Sequence, residues 1–510
     1  MNHLQSQSNT FFFTKHYNKI CWALFLLSSI LIFYGKLHHE MWLDEWQAVG
    51  IARCAKNPIE LFVLRDYEGH PYLYFLMLYI VNLVSHSNIA IQLFHLVFSV
   101  GAMYLLLVKS NFQLIVKFLL IFSVYFIWEY TVINRVYGIC LFFIFLFTYL
   151  ITTQKLTLIY SIILFTILCQ LEAYSAAVAL LLGGYYFFTF PLSATKKIIF
   201  ALFGMLNFII LYLSIQQPID ATAAYHSPFA MVAFDWAHFI RFFDYAFVTH
   251  HTYHYNQWCY LYFFPQWLTV VFFTLILILI FYTIKNNFIR LSTFVALIGL
   301  SYINLQITAI TPRHLGFNFI IYLVAIWLDK KSTKTSLSTY LLVPLLAVQA
   351  FWGIRLYLLD IKHPFTMAPK TSTFIKENFP TQKNIVGYGE MSISSPSAYL
   401  GLPIINLKTG NANRYYEWSQ KENLPSNYKD TAVLANLNTI FKIKGPFVLI
   451  VSSDRNTNWI TPILDSISTT QNQQFKKMPE FFGAIVPMEN FYTYKQDSLI
   501  VWKSQGMNPK

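Results

Sequence analysis

Apolar residues in this chain fall in long unbroken runs, and polar residues are largely confined to the gaps between them. Between residues 17 and 359 the runs reach about 15–22 residues, long enough to cross or nearly cross a bilayer as helices. They predict about eleven spans, at 17–34, 88–108, 112–128, 136–151, 156–171, 173–190, 198–215, 264–284, 291–310, 315–328 and 337–359. The first run follows Lys15 and Lys19 as a signal peptide would. No small-residue cleavage site comes after it, so it reads as an uncleaved first helix.

Charge orients the runs. With the N-terminus in the cytoplasm, Lys109 and Lys117, Lys155, Lys196 and Lys197, Lys285 and Arg290, and Lys330, Lys331 and Lys334 all fall inside, as the positive-inside rule requires. One more apolar stretch, 70–84 (HPYLYFLMLYIVNLV), would reverse every later loop if it spanned. It is read instead as an interfacial or re-entrant helix, started by Pro71, closing a long first external loop at 35–87. A second long external loop is 216–263. Beyond residue 360 the pattern changes: residues 361–510 are polar, rich in Asn, Ser and Lys, and long enough for one domain. Strand-like runs at 384–388, 402–406, 447–452 and 498–502 alternate with helix-like stretches at 371–379 and 458–466. The expected fold is mainly α: a polytopic transmembrane helix bundle over 1–360, N-terminus in and C-terminus out, followed by a small extracytoplasmic α/β domain over 361–510.

Composition changes this picture in one respect. Only 12% of the residues are charged, against about 25% in soluble proteins, so each acid or arginine at an outer helix end calls for a reason. The net charge of +13 would suit nucleic acid, but the basic residues sit in short loops where they set topology, which excludes that partner. Five cysteines form no CxxC pair. Cys21, Cys140 and Cys169 lie in apolar runs and pack there, whereas Cys54 and Cys259 share the outer side, where a bridge is chemically permitted.

The external segments carry the candidate chemistry. The first loop contains MWLDEWQAVGIARCAKNP, with Asp44 and Glu45 adjacent. Neighbours on a helix point about 100° apart, so the two cannot share a proton and have separate jobs. Asp44 either serves as a general base for an acceptor hydroxyl or caps a helix at 45–55, with Glu45 a solvated acid of its first turn. Further on, RDYEGHPYLY brings Glu68 and His70, which suit a metal, a phosphate-linked group or an acceptor, or simply a polar turn. The hinge WEYTVINRVYG holds Arg135, with Glu129, Asn134 and Tyr137 nearby. An arginine there snorkels to headgroups or grips a lipid-borne phosphate with its rigid fork of donors. Glu172 in QLEAYS lies between two apolar runs, an expensive place for a carboxylate without a purpose. Arg313 and His314 in TPRHLGF enter the tenth span. The second long loop has His226, His238, His250, His251 and His254. His250 and His254 share a helical face as metal pairs do, with Asp235 or Asp244 as third ligand; the competing reading is an aromatic helix, WAHFIRFFDYAFV, lying on the bilayer.

A first span followed by WLDEWQA, then EGHPYLYFLMLYI, then NRVYG and a late TPRHLGF resembles the glycosyltransferase-C superfamily. The nearest branch is that of protein mannosyltransferases and lipid A aminoarabinose transferases. The resemblance covers about the first 360 residues, and it lies in the order, spacing and side of the motifs rather than in any one of them. Tyr72 stands where the family has a second proline, and Glu172-Ala173-Tyr174 where it has a His-Tyr step.

The resemblance implies transfer of a sugar from a polyprenyl-phosphate donor to a lipid, glycan or protein acceptor. The reaction would run at the outer face of the membrane, which the resemblance implies is a bacterial cytoplasmic (inner) membrane. It implies Asp44 as base in an inverting reaction, with Glu45 orienting the loop or an acceptor group. Arg135 and Arg313, helped by Tyr137, would take the donor phosphate; Glu68, His70 and Glu172 would line the acceptor side. The resemblance fixes no cofactor: a divalent metal is used by some relatives and not by others, so it stays open. A transporter of a lipid-linked sugar shares the membrane setting, but transporters carry internal repeats and mid-membrane charges that this chain lacks. A surface-polysaccharide polymerase or ligase shares the donor and should differ in the Asp–Glu loop; a non-catalytic scaffold leaves the outer acids and arginines unexplained. The C-terminal domain, from its position, is expected to select the acceptor.

Overall fold

The structure is a computed structural model that describes residues 2–221, 236–249, 265–306, 312–329, 336–419, 430–453, 460–471 and 475–498. Helix α1 (Asn2–His38) leads into three short helices of the first loop, α2 (Leu43–Cys54), α3 (Pro58–Leu64) and α4 (Tyr72–Val84). There follow α5 (Asn88–Tyr104), α6 (Leu114–Phe122), α7 (Val136–Thr152), α8 (Leu158–Leu171), α9 (Ala173–Thr189) and α10 (Ala194–Ile215). Helices α11 (Trp236–Phe247), α12 (Gln266–Thr283), α13 (Asn287–Gln306), α14 (Pro312–Leu328) and α15 (Ser336–Lys362) complete the bundle. Several starts are dictated locally: Ser87, Thr157 and Ser193 accept hydrogen bonds from first-turn amides of α5, α8 and α10.

Five of these helices are long and apolar enough to cross a membrane, at 16–38, 88–109, 194–215, 266–283 and 340–362. Their outward faces are apolar too: Leu26 and Ile30 of α1, Leu202 and Leu213 of α10, and Leu275 and Ile278 of α12 are exposed. A continuous apolar surface of this kind is stable in hydrocarbon and not in water. The chain is an integral, multi-pass membrane protein. Helices also stand at the other predicted runs, and α4, with thirteen residues, is shorter than the ~20 a full span needs.

Two expectations change. The run at 112–128 is not one helix: it breaks at Ser123 (φ −64, ψ 149) into α6 and a π-helical turn at Tyr125–Glu129. No Pro or Gly marks the place, and the neighbour that fits into it lies far away in sequence. Gly353 of α15 comes so close that a Cβ would strike the Phe122 carbonyl and stand 2.8 Å from Ser123 C and Val124 N. Overpacking against backbone costs about 1–3 kcal/mol. Gly353→Ala is therefore expected to lower the thermal midpoint in detergent by several degrees, whereas Gly204→Ala, whose Cβ meets only contacts at 3.9 Å, leaves it unchanged. The second change concerns α11. Instead of lying on the bilayer, it buries Phe239, Phe243, Tyr245 and Phe247 among α12, α13 and α14, with Phe243 edge-on to Phe273 at 5.3 Å.

The C-terminal part is α/β, as its pattern predicts. It runs α16 (Ala368–Asn378), β1 (Ile385–Tyr388), α17 (Ser394–Leu400), β2 (Ile404–Asn406), β3 (Ala412–Asn413), α18 (Asp430–Lys444), β4 (Phe447–Ser452), α19 (Thr461–Thr470), β5 (Phe475–Lys477) and β6 (Phe491–Gln496). The sheet order is β3-β2-β1-β4-β6-β5, with β2, β1 and β4 parallel and the others antiparallel. Strands β1 and β4 are buried throughout, which is why they read as unbroken apolar runs. The strand expected at 498–502 lies almost wholly outside the described residues; the neighbour of β4 is β6, a strand the sequence reading does not place, which pairs in turn with β5. Helix α17 packs on α2, with Trp46 edge-on to Tyr399 at 5.5 Å, so this domain rests on the first loop.

Candidate active site

The site is organised by the first turn of α2. Trp42, the N-cap, offers no side-chain acceptor, so the turn is held from elsewhere. Glu45 is fully buried; its Oε2 accepts from the Trp42 amide (3.1 Å) and its Oε1 from the Asn134 amide (2.5 Å). His39 bridges Glu45 Oε2 and Asp360 Oδ2, each at 2.9 Å, and Trp128 Nε1 donates to the same Asp360 oxygen at 2.7 Å. Burial opposes a charge on His39, but the Asp360 and Glu45 carboxylates outweigh it and push the imidazole up to about 10, so both ring N–H groups donate. Against its own burial, Glu45 is held below the usual carboxylate range, chiefly by that imidazolium. Its hydrogen bonds tie the end of α1, the start of α2 and the 129–135 hinge together, and both of its oxygens are directed into the protein. The alternative of a solvated first-turn acid does not hold.

Asp44, one residue earlier, points the other way and keeps 22% of its side chain exposed. Arg313 Nη2 donates to its Oδ2, while Arg135 Nη1 donates to its backbone carbonyl and lies 3.9 Å from Oδ2. Burial by itself would raise the Asp44 carboxyl; Arg313 and then Arg135 outweigh that and hold it ionised below the usual value. Both guanidiniums are nearly buried, yet Arg135 Nε and Arg313 Nε and Nη1 have no hydrogen-bond acceptor among the described residues. Two cations with spare donors face the Asp44 carboxylate. Trp42 lies under Arg313, 5.6 Å from its guanidinium carbon, and the Tyr130 hydroxyl donates to the Arg313 carbonyl, fixing the start of α14.

The other predicted residues surround this pair. His70 Nδ1 is 3.2 Å from Glu172 Oε2, and Glu172 Oε1 also caps α9 through the Ala173 amide at 2.9 Å. That cap accounts for a carboxylate between two apolar runs. Glu68 accepts from Gln47 Nε2 at 2.7 Å; burial pushes its carboxyl up to about 7, while Gln47, His70 and Arg135 pull it back. Tyr137 packs beside Arg135, 6.0 Å from ring centre to guanidinium carbon, and its hydroxyl has no partner among the described residues. His314 stacks on Tyr174 at 4.9 Å. From Ala173 an apolar cavity of about 780 Å³ extends between α9, α10 and α13, lined by Leu181, Phe188, Leu211, Leu291 and Val295 among others.

The structure thus brings Asp44, Glu68, His70, Arg135, Tyr137, Glu172 and Arg313 together from five segments. His226, His250, His251, His254, Asp235 and Cys259 lie outside the described residues. Among the described residues no three His, Cys, Asp or Glu side chains group as a metal set. The supports His39, Asp360 and Trp128 escape the sequence reading because none stands at a periodic spacing from Asp44, and Gln47, three residues on in α2, because its partners Glu68, Ser394 and Tyr416 lie in other segments.

What fold and site define together is a multi-pass membrane protein with a partly exposed carboxylate under two arginines, beside an apolar cavity. No family model matches the chain, and none of the curated proteins matches it. Among solved structures, ArnT from Cupriavidus metallidurans bound to undecaprenyl phosphate is similar to it over 94% of this chain and 99% of that one, with 10% identity and a TM-score of 0.46. A likeness that distant assigns no activity, and the chemistry of the site has to decide.

Proposed function

We propose that this protein is a membrane glycosyltransferase that moves a sugar from a polyprenyl-phosphate donor to an acceptor at the outer face of the membrane, with inversion. The observation that carries the reading is Asp44, partly exposed and ionised between Arg135 and Arg313, whose donors outnumber the acceptors offered to them. A phosphate is the anion that uses such a pair of forks. The isoprenoid tail stays in hydrocarbon, and the cavity along α9 offers it a path of roughly 22 Å over fifteen helical residues.

In the reaction the donor phosphate takes the guanidiniums from Asp44. Losing them, the carboxylate rises from its depressed pKa and becomes a better base at the moment the donor is in place. It accepts the proton of the acceptor hydroxyl. That oxygen forms a bond to the anomeric carbon as the bond from that carbon to the phosphate oxygen breaks, and the electron pair leaves on phosphate. Arg135 and Arg313 stabilise the growing charge. Glu68, half-buried with its carboxyl near 7, and the His70–Glu172 pair border the acceptor side.

The test is incubation of the purified protein, in nanodiscs with a mixed acceptor extract, with a panel of radiolabelled polyprenyl-phosphate sugars. The expected result is consumption of one donor with stoichiometric release of polyprenyl phosphate. Binding of a donor followed by its passage across vesicles, with no release of polyprenyl phosphate, would show a transporter instead.

A further inference from the structure

The C-terminal domain does more than sit beside the site. Its Glu489, fully buried, accepts at Oε1 from the backbone amide of Leu43 (2.7 Å) and from the Ser395 hydroxyl (2.6 Å). Leu43 is the first residue of α2, and its amide is one of the four at a helix start that need an outside acceptor. Trp42 cannot supply one. Glu489 does so from 446 residues away, and the next residue after Leu43 is Asp44.

Glu489 is itself held. Its carbonyl accepts from the Met367 amide at 3.1 Å, its amide donates to Val486 at 3.0 Å, and the Val486 amide donates to Phe365 at 3.1 Å. The turn is thereby tied to the segment that follows α15 and the His39–Asp360 pair. A second arm meets α2 one turn on. Gln47 Oε1 accepts from the Tyr416 amide (2.9 Å) and the Ser394 hydroxyl (2.6 Å). Its Nε2 donates to the Tyr416 carbonyl (2.5 Å) and to Glu68.

We infer that Glu489 is a positioning residue: the C-terminal domain caps α2 through it and so aims the Asp44 carboxylate between Arg135 and the acceptor. The inference rests on the reading of Asp44 as the base. Misplacing a reacting group by about 1 Å costs up to ~10²-fold in rate, and the loss falls on kcat because Glu489 touches neither donor nor acceptor.

Burial pushes the Glu489 carboxyl up to about 8, against the hydrogen bonds from Ser395, Thr366 and Leu43. At neutral pH it is mostly the uncharged acid, which glutamine imitates with the same acceptor oxygen. The test compares Glu489→Ala, Glu489→Gln and Ser395→Ala by steady-state transfer and by hydrogen exchange over residues 43–54. Glu489→Ala is expected to lose roughly ten- to a hundredfold in kcat, with the donor KM unchanged and faster exchange at Leu43 and Asp44; Glu489→Gln recovers most of both. Should the alanine variant fail to fold, Ser395→Ala carries the same comparison with a smaller loss. A wild-type kcat in the folded alanine or Ser395→Ala variant, a glutamine variant as slow as alanine, or a change confined to KM overturns the inference. Asp44→Asn run in parallel separates the two readings. If it remains active the base assignment is wrong, and if it is dead while Glu489→Ala is normal only the positioning role is lost.

Discussion

Asp44→Asn is expected to lower sugar transfer by about 10²–10⁴-fold while tightening the hold on polyprenyl phosphate. The two effects have one cause. Asparagine keeps the size of the side chain and an oxygen for Arg313, but it cannot take a proton from the acceptor. It also brings no negative charge, so Arg135 and Arg313, both nearly buried, are left without their counter-ion until a phosphate arrives. Single-turnover transfer and binding of labelled polyprenyl phosphate, measured on one preparation, read both. Slow transfer with unchanged or stronger lipid binding supports the assignment. Wild-type transfer would move the base elsewhere, first to Glu68, since every contact of Glu45 is directed into the protein.

Arg313→Ala should cost about 10²–10³-fold in kcat, the loss seen when one preorganised donor to a developing anion is removed. It should also weaken donor binding. Arg313→Lys is expected to restore charge and only part of the rate, because an ammonium lacks the planar fork. The pH profile gives an independent reading. Arg313 is the main influence lowering the Asp44 carboxyl. In the wild type the acid limb of kcat/KM, which reports the enzyme before the donor is bound, therefore lies below the usual carboxylate range; without Arg313 it moves to higher pH. An acid limb of kcat/KM that stays put in Arg313→Ala would mean that the two side chains are not coupled in the free enzyme.

Membrane character and most helix positions were legible in the chain because lipid solvation demands long apolar runs, and such runs survive any tertiary arrangement. The α/β pattern beyond residue 360 was legible for a similar reason: β1 and β4 are buried on both faces and advertise it. The break at Ser123 was not, since its cause is the close approach of Gly353. The burial of α11 was not either, because aromatic residues suit an interface and a protein core alike. For the site, Asp44, Arg135 and Arg313 could be singled out because isolated charges at helix ends are rare in so apolar a chain.

Their roles relative to one another lay beyond the sequence. Adjacent Asp44 and Glu45 are chemically near-identical there; in the fold one is locked by His39, Trp42 and Asn134 and the other faces two arginines. Nor does any local feature announce that Glu489 caps a helix starting at Leu43. By itself the sequence determined the solvent each segment prefers and the inventory of chemistry at the helix ends, because hydropathy and charge belong to residues. Only the tertiary structure decided which carboxylate stays open and which is spent on support, because that depends on partners brought together across hundreds of residues.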